Sequence, residues 1–484
     1  MKPVGKVAVI DIGSNSCRMV IYEQAGSALI PYFNEKTMAG LGRDLSDTGR
    51  LSPTGKELAL KTFHRFRAIT ASLGIKDVRV VATAAVREAI DGAEFQQQAQ
   101  DILSVPIQVL SGSDEGRLSA LGVNLGFIGA KGLVADLGGS SMELRHLGRQ
   151  QEGETFLLGP LARAADADLS IEKRRKIIQK HLSESVLLTE KVERLYAVGG
   201  AWRNVAAIHM MLTNYPLRLA HGYKLKLSDI QHVVEAADLA KSDKLTREQL
   251  QSVSKRRFET LLHAALVLSA VLEVSAAKRV TISSFGLRDG VAAQNLQISG
   301  SDALLDSVPL FLRSSKESIA FGKELYSFIH PITDQFIQSE PILRAICLMA
   351  DAGARMHPDH RAQLVYEQVL RAQVPGMTHE QRLFAAYAVA SRYTFKFNEE
   401  AAYAGALNVG LKRQAKVLGT AMRLGSVYSG RSGPILASAG LKIDGRELHM
   451  RVDHNYRDLV SETVERRLGQ LAGLMKLHPH LKHA

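Results

Sequence analysis

KVAVIDIGSNS, residues 6–16, and GLVADLGGSSMEL, residues 132–144, are one pattern written twice. Lys6 to Asp11 is a continuous β-branched run of the kind expected in a strand buried on both faces. It ends in Gly13-Ser14-Asn15-Ser16, a cluster of turn formers, and Arg18-Met19-Val20-Ile21-Tyr22-Glu23 resumes as a strand. The motif is therefore a hairpin with a small, polar tip. In the second copy the strand ends at Asp136, 125 positions after Asp11, and a new strand starts at Met142. A repeat at that distance is too long for a solenoid and predicts two homologous half-domains.

Around these hairpins, strand and helix signals alternate. Ser52-Pro53 opens a helix through Leu58, Phe63, Phe66 and Leu73 to a terminal Gly74. Val78 to Ala82 reads as a strand, Val86 onward as a helix, Pro106 to Leu110 as a strand and Asp114 onward as a helix. A third glycine turn, Val198-Gly199-Gly200, leads into a helix near Trp202. Periodicity weakens at residues 297–306, which predicts a linker. Residues 309–428 then read as helices with breaks at Pro331, Pro358 and Pro375, residues 434–452 as strand-like pieces, and Leu459 to Met475 as a last helix. The expected fold class is α/β. Two half-domains, 1–125 and 126–300, flank a cleft, with a helical domain at 301–430 and a small mixed segment at 431–484.

The chain has 484 residues, 46% hydrophobic and 23% charged, which suffices for several cores and excludes a disordered protein. Two cysteines, Cys17 and Cys347, exclude a disulfide scaffold and fit a reducing compartment. No apolar stretch resembles a secretory leader or a membrane span, so the expectation is a cytoplasmic protein without a membrane partner. The formal charge of +12 points to a polyanionic partner or to a solvated surface. Residues 301–484 hold 23 Lys and Arg against 18 Asp and Glu, so the excess is not one basic tail.

Small residues in the two tips let backbone N–H groups approach a phosphate, and hydroxyls add donors. Two such turns facing each other could clamp one phosphate between them.

Five segments now line up: the Asp11–Ser16 hairpin, Ala82-Thr83-Ala84-Ala85-Val86-Arg87-Glu88-Ala89, Ser111-Gly112-Ser113-Asp114-Glu115-Gly116-Arg117, Asp136–Leu144 and Val198-Gly199-Gly200. With His221-Gly222-Tyr223, Ser254-Lys255-Arg256-Arg257 and Phe285-Gly286-Leu287-Arg288-Asp289-Gly290, they resemble the successive signatures of the exopolyphosphatase / guanosine pentaphosphate phosphohydrolase family. The resemblance covers residues 1–295. Beyond it, the region around His357-Pro358-Asp359-His360 is similar to the HD-like helical domain of the family's long members. The resemblance implies an actin-like ATPase/sugar-kinase fold, hydrolysis of the terminal phosphoanhydride of inorganic polyphosphate or guanosine pentaphosphate, and a homodimer.

It also implies residue roles. Glu115 matches the catalytic glutamate, and its place at a helix start after a strand aims a carboxylate into the cleft; the alternative is a charge complementing the helix dipole. Asp114 beside it differs by a rotation of roughly 100°. Asp136 and Glu143 suit Mg²⁺, which takes oxygen ligands and shares substrate phosphates. Asp11 is either a third metal carboxylate or a turn cap. Phosphate binding is expected from Gly13, Ser14, Asn15, Ser16, Gly138, Gly139, Ser140, Ser141 and Arg87, the last with a surface ion pair to Glu88 or Asp91 as alternative. Three departures from the family pattern, Ala84, Gly116 in Asp114-Glu115-Gly116-Arg117, and Leu137, leave these residues in place and bear on substrate preference.

The helical part has no His-Asp dipeptide, so its histidines, among them His357, His360, His478, His480 and His483, read as surface or packing residues. Cys17 reads as packing. From Ala401 to Ile443 no acid occurs, whereas Lys412, Arg413, Lys416 and Arg423 do, a pattern fit for a polyphosphate channel or a solvated helix face. Lys173, Arg174, Arg175, Lys176 and Lys180 form a second basic run. One Trp and 6% aromatics offer few stacking platforms, which ranks nucleic acid below polyphosphate. The rival readings are an ATP-dependent kinase of the same fold, because of the Val198-Gly199-Gly200 turn, and a silent binder of these polyanions.

Overall fold

A computed structural model describes residues 4–149, 153–163, 166, 168–189, 192–296, 302–334, 336–399 and 403–483. The chain divides between Gly300 and Ser301 into two compact units.

In the first unit the two hairpins seed two sheets of like order. β1 (Gly5–Ile12), β2 (Cys17–Ala25), β3 (Ala28–Thr37), β4 (Asp77–Ala82) and β5 (Ile107–Val109) run in the order β3-β2-β1-β4-β5. β6 (Gly132–Leu137), β7 (Met142–Leu147), β8 (Glu154–Phe156), β9 (Leu195–Val198), β10 (Lys224–Leu225) and β11 (Val280–Ile282) run β10-β11-β9-β6-β7-β8. In each sheet an antiparallel hairpin stands beside a strand parallel to its first arm: β4 beside β1, and β9 beside β6. The central strands β1 and β6 are apolar on both faces because helices cover both sides, as the unbroken β-branched runs require.

Helix α1 (Pro53–Ser72) buries Phe63 and Phe66 against the first sheet and stops at Gly74, whose φ of 63° is the left-handed region. The helix expected from Val86 onward is instead two pieces, α2 (Ala84–Glu88) and α3 (Gly92–Leu103). The break lies at Asp91, whose carboxylate accepts from Leu51 N–H and Lys56, and at Gly92, where a Cβ would sit 2.0 Å from the Val86 carbonyl oxygen. Helix α4 (Gly112–Gly126) is capped by Ser111 and packs on β6 and β7 of the second sheet. Helix α5 (Gly200–Leu212) follows β9, α6 (Phe258–Val274) is the most buried helix of the second core, and α7 (Leu287–Ala293) packs along α4 and reaches β1. Thus α4 and α7 tie the two sheets together.

The second unit is helical: α8 (Asp302–Leu312), α9 (Lys316–Ile329), α10 (Glu340–Leu348), α11 (Arg361–Leu370), α12 (His379–Tyr393), α13 (Val409–Ser429) and α14 (Glu462–Met475). Residues 297–301 of the expected linker lie outside the described residues; from Asp302 the chain is already helix rather than linker. In the expected strand region, Gly433–Leu436 is one helical turn, started by Pro434 and the Ser432 cap. Strands β12 (Ala439–Asp444) and β13 (Glu447–Val452) follow, and β14 (His478–His483), which the sequence reading did not foresee, adds parallel to β13. Among the described residues no helix is long and apolar enough to cross a membrane. Cys17 and Cys347 are both buried thiols, and burial pushes each thiol pKa up, that of Cys347 to about 12.

Candidate active site

The two tips meet. Gly13 N–H donates to the Ser16 carbonyl at 3.1 Å and Gly138 N–H to the Ser141 carbonyl at 2.8 Å, the same turn in both copies. Ser140 Oγ donates to Ser14 Oγ at 3.0 Å across the gap. Between the turns and the strand ends lies a cavity of about 200 Å³.

Gly13, Ser14, Asn15, Ser16, Gly138 and Gly139 line it, as do Asp11, Glu115, Asp136 and Glu143. Ser140 and Ser141 are buried beneath the wall and brace it, Ser140 through Ser14 and Ser141 through a short hydrogen bond to Glu143. Arg87 is not in the wall. Its Nη1 donates to the Leu110 carbonyl at 2.6 Å and to Glu115 Oε1 at 2.8 Å, and its Nη2 to Glu88 at 3.1 Å.

The choice between the neighbouring acids is plain. Asp114 turns outward and accepts from its own cap Ser111, while Glu115 is buried in the cavity wall. Burial pushes the Glu115 carboxyl up to about 7; Arg87 pulls it down, and Asp136 and Asp11 add to the rise. Burial also raises Glu143 well above the ordinary carboxylate range, with Glu115 next among the causes. Asp136 is raised by burial against a short hydrogen bond from Ser119. Asp11 does not cap its turn; its Oδ2 receives Arg288 Nη1 at 2.7 Å.

Facing these acids is a group of cations to which the sequence reading gave no role: Arg18, Lys36, Arg203, Arg257 and Arg288 all line the cavity. Register explains two of them. Asp11 pairs with Arg18 across β1 and β2, and Arg18 with Lys36 across β2 and β3, so one row of the sheet carries all three. Arg203 projects from the first turn of α5, and Arg257 lies over Gly200, where a Cβ would sit 1.8 Å from its Nη1. The signal was available, since Arg257 and Arg288 stand inside the segments that carried the resemblance. Burial and the neighbouring arginines depress Lys36 to about 8, and burial followed by Arg288 depresses Arg18 and Arg203 to about 10. Burial works against charged Arg288 too, but Asp11, Tyr22 and Asp289 outweigh it and its pKa rises.

The donor set fits a hard cation. Asp136 and Glu143 face each other in register near the tip of the second hairpin, one pair back from the turn, as oxygen donors with no His or Cys among the described residues lining the cavity. Among the described residues no three His, Cys, Asp or Glu side chains close around one point, so water and substrate oxygens would complete the shell of a Mg²⁺ ion.

The expected channel residues all lie on α13. Lys412 pairs with Glu399 at 2.5 Å, Arg413 donates to the Leu474 carbonyl at 2.9 Å, and Lys416 sits 4.6 Å over the Phe395 ring. Arg423 lines a different concavity.

Residues 19–298 match the model of the Ppx/GppA phosphatase family, and residues 333–480 that of the exopolyphosphatase C-terminal domain. A guanosine-5'-triphosphate,3'-diphosphate pyrophosphatase of Aeromonas salmonicida is 26% identical over 418 residues, 80% of this chain and 81% of that one. Two solved structures share the fold over 60% of this chain and 97% of their own. They are the Aquifex aeolicus Ppx/GppA family member (23% identity, TM-score 0.52) and an exopolyphosphatase from Cytophaga hutchinsonii (20%, 0.53). With its second turn, buried glutamate and four of the five facing cations in the matched region, the chain belongs to the Ppx/GppA phosphatase family, whose members hydrolyse phosphoanhydrides.

Proposed function

We propose that the protein is an exopolyphosphatase that releases orthophosphate from the end of inorganic polyphosphate, with Glu115 as base and Mg²⁺ as cofactor. The observation that carries this reading is the content of the cavity: two phosphate-sized turns, five cations, a buried glutamate whose pKa is raised to about 7, and no aromatic ring among the described residues of the wall. An aromatic ring is the usual platform for a nucleobase, whereas a condensed phosphate asks only for donors and positive charge.

In this reading the terminal phosphate sits between the Gly13–Ser16 and Gly138–Ser141 turns, its oxygens facing backbone N–H groups. Arg18, Lys36, Arg203 and Arg257 neutralise it and the next phosphates, and Arg288 is shared with Asp11. Glu115 takes a proton from water as the water oxygen attacks the terminal phosphorus. The bridging P–O bond breaks, and its electron pair leaves with the shortened chain. Asp136 and Glu143 are the carboxylates that would hold Mg²⁺, which when bound neutralises charge on the transferred phosphoryl group. Arg87 keeps the Glu115 carboxylate charged and aimed.

Glu115→Gln should lower phosphate release by about 10²–10⁴-fold, the usual worth of a general base, with polyphosphate still bound. Residual release at the wild-type rate would overturn the assignment. The named relative favours guanosine pentaphosphate as second substrate, so release is compared on both, with and without Mg²⁺. Label appearing on an acceptor instead of as free phosphate would revive the kinase reading, and binding without release the silent binder.

A further inference from the structure

The helical unit holds a concavity of about 360 Å³ whose wall carries Arg361, Arg392, Arg423 and Arg431 beside Tyr393 and Ser426. They converge from separate elements: Arg361 opens α11, Arg392 ends α12, Arg423 lies on α13, and Arg431 follows the end of α13 at Gly430. The wall is held in place. Buried Arg392 donates to Asp351 at 2.8 Å and to Ser426 Oγ at 3.0 Å. The Tyr393 ring, anchored by its hydroxyl on the Ala350 carbonyl, has the Arg392 guanidinium 4.6 Å and the Arg361 guanidinium 5.3 Å from its centroid. Arg431 stands in left-handed backbone, φ 69°, directly after Gly430 at 57°. A non-glycine residue keeps that conformation at a cost, which the surrounding structure must support.

The charges do not balance. Among the described residues Asp351 is the one carboxylate paired with these arginines, at 2.8 Å from Arg392 and 3.9 Å from Arg431, and Arg423 makes no hydrogen bond or ion pair. Burial, then Arg467, Arg361, Arg466 and Arg392, push the Arg423 pKa down to about 10, as expected of gathered like charges. Four guanidiniums against one carboxylate leave about three positive charges facing a concave surface. Guanidinium forks match phosphate oxygens two at a time, and this volume is near the lower end for small-ligand sites, which suits a compact anion.

We propose that this cavity is a binding site of the helical unit's own for a compact oligophosphate group carrying about three negative charges. Such a group is offered either by a short inorganic phosphate chain or by the phosphate tail of a nucleotide. The inference does not rest on the chemistry assigned to Glu115.

The test uses the full chain with Glu115→Gln, titrated calorimetrically with tripolyphosphate and separately with a nucleoside triphosphate. Tripolyphosphate should fill two classes of site, and adding Arg361→Ala with Arg431→Ala should abolish one class or weaken it at least tenfold while the other keeps its affinity. Val427→Glu, which sets a carboxylate in the same wall without removing an arginine, should do the same. Matching Lys substitutions should recover part of the binding. A nucleotide filling both classes means the site reads the shared phosphate tail; a nucleotide confined to one class while tripolyphosphate fills two assigns the inorganic chain. Stoichiometry and affinities unchanged by both the double Ala variant and Val427→Glu would overturn the proposal.

Discussion

Burial moves Glu115 and Lys36 toward neutrality from opposite directions. Burial raises the acid to about 7, and burial among arginines lowers the amine to about 8. A general base works when deprotonated, and an ammonium binds phosphate when protonated; these are the roles proposed for Glu115 and Lys36. In the free enzyme kcat/KM should therefore climb as pH rises through about 7 and fall as it passes about 8. Lys36→Arg should remove the alkaline fall in a pH–rate profile; an unchanged profile would mean that Lys36 is not a phosphate contact. Arg87 favours ionised Glu115, so Arg87→Met should move the acid limb to higher pH. A residue that only bound phosphate would raise KM and leave the midpoint where it was. The raised Glu115 pKa also bears on folding. A carboxyl whose folded pKa lies above its unfolded one adds stability below the unfolded value, about 4.5, and loses it as pH rises through about 7. Glu115→Gln should thus be more stable than wild type at pH 8, by roughly 1–3 kcal/mol in a denaturant titration, and the gap should close in acid.

At the scale of elements the two hairpins show duplication and divergence together. Position for position Asp11 answers Asp136 and Gly13 answers Gly138, but Arg18 of the first copy answers Glu143 of the second. One hairpin became the cationic jaw and the other the acidic one. The repeat was legible because hairpin, turn and spacing are local properties. The cation group was not, since Arg18, Lys36, Arg203, Arg257 and Arg288 meet only after register and helix placement are known. The break at Asp91 was hidden for the same reason, its partners Leu51 and Lys56 being distant in sequence. The α4–α7 crossing is as tight as backbone allows, since a Cβ at Gly290 would lie 1.8 Å from the Leu118 carbonyl oxygen. Gly290→Ala should cost about 2–3 kcal/mol in a denaturant titration and depress turnover, because these helices carry Glu115 and Arg288.

On the whole-molecule scale, the two solved structures share the fold over 97% of their own length and 60% of this chain. A chain ending near residue 300 should still release phosphate from short polyphosphates and lose efficiency on long ones, read as KM against chain length. Replacing Lys412, Arg413 and Lys416 with Ala should raise KM for long chains selectively; an effect independent of length would assign those side chains to their partners Glu399, Leu474 and Phe395 alone. The +12 charge could not be apportioned from sequence, because burial and pairing decide which cations count.

The cavity cations have a thermodynamic consequence besides recognition. Four of the five have depressed pKa values because folding buries them and, second to that, sets them beside one another, so the site without an anion opposes folding and any anion that enters relieves the opposition. Melting temperature should then depend on the buffer, rising with the logarithm of phosphate or sulfate concentration once that exceeds the dissociation constant, and setting in at lower concentration for longer phosphate chains. The substrate becomes part of what keeps its own enzyme folded.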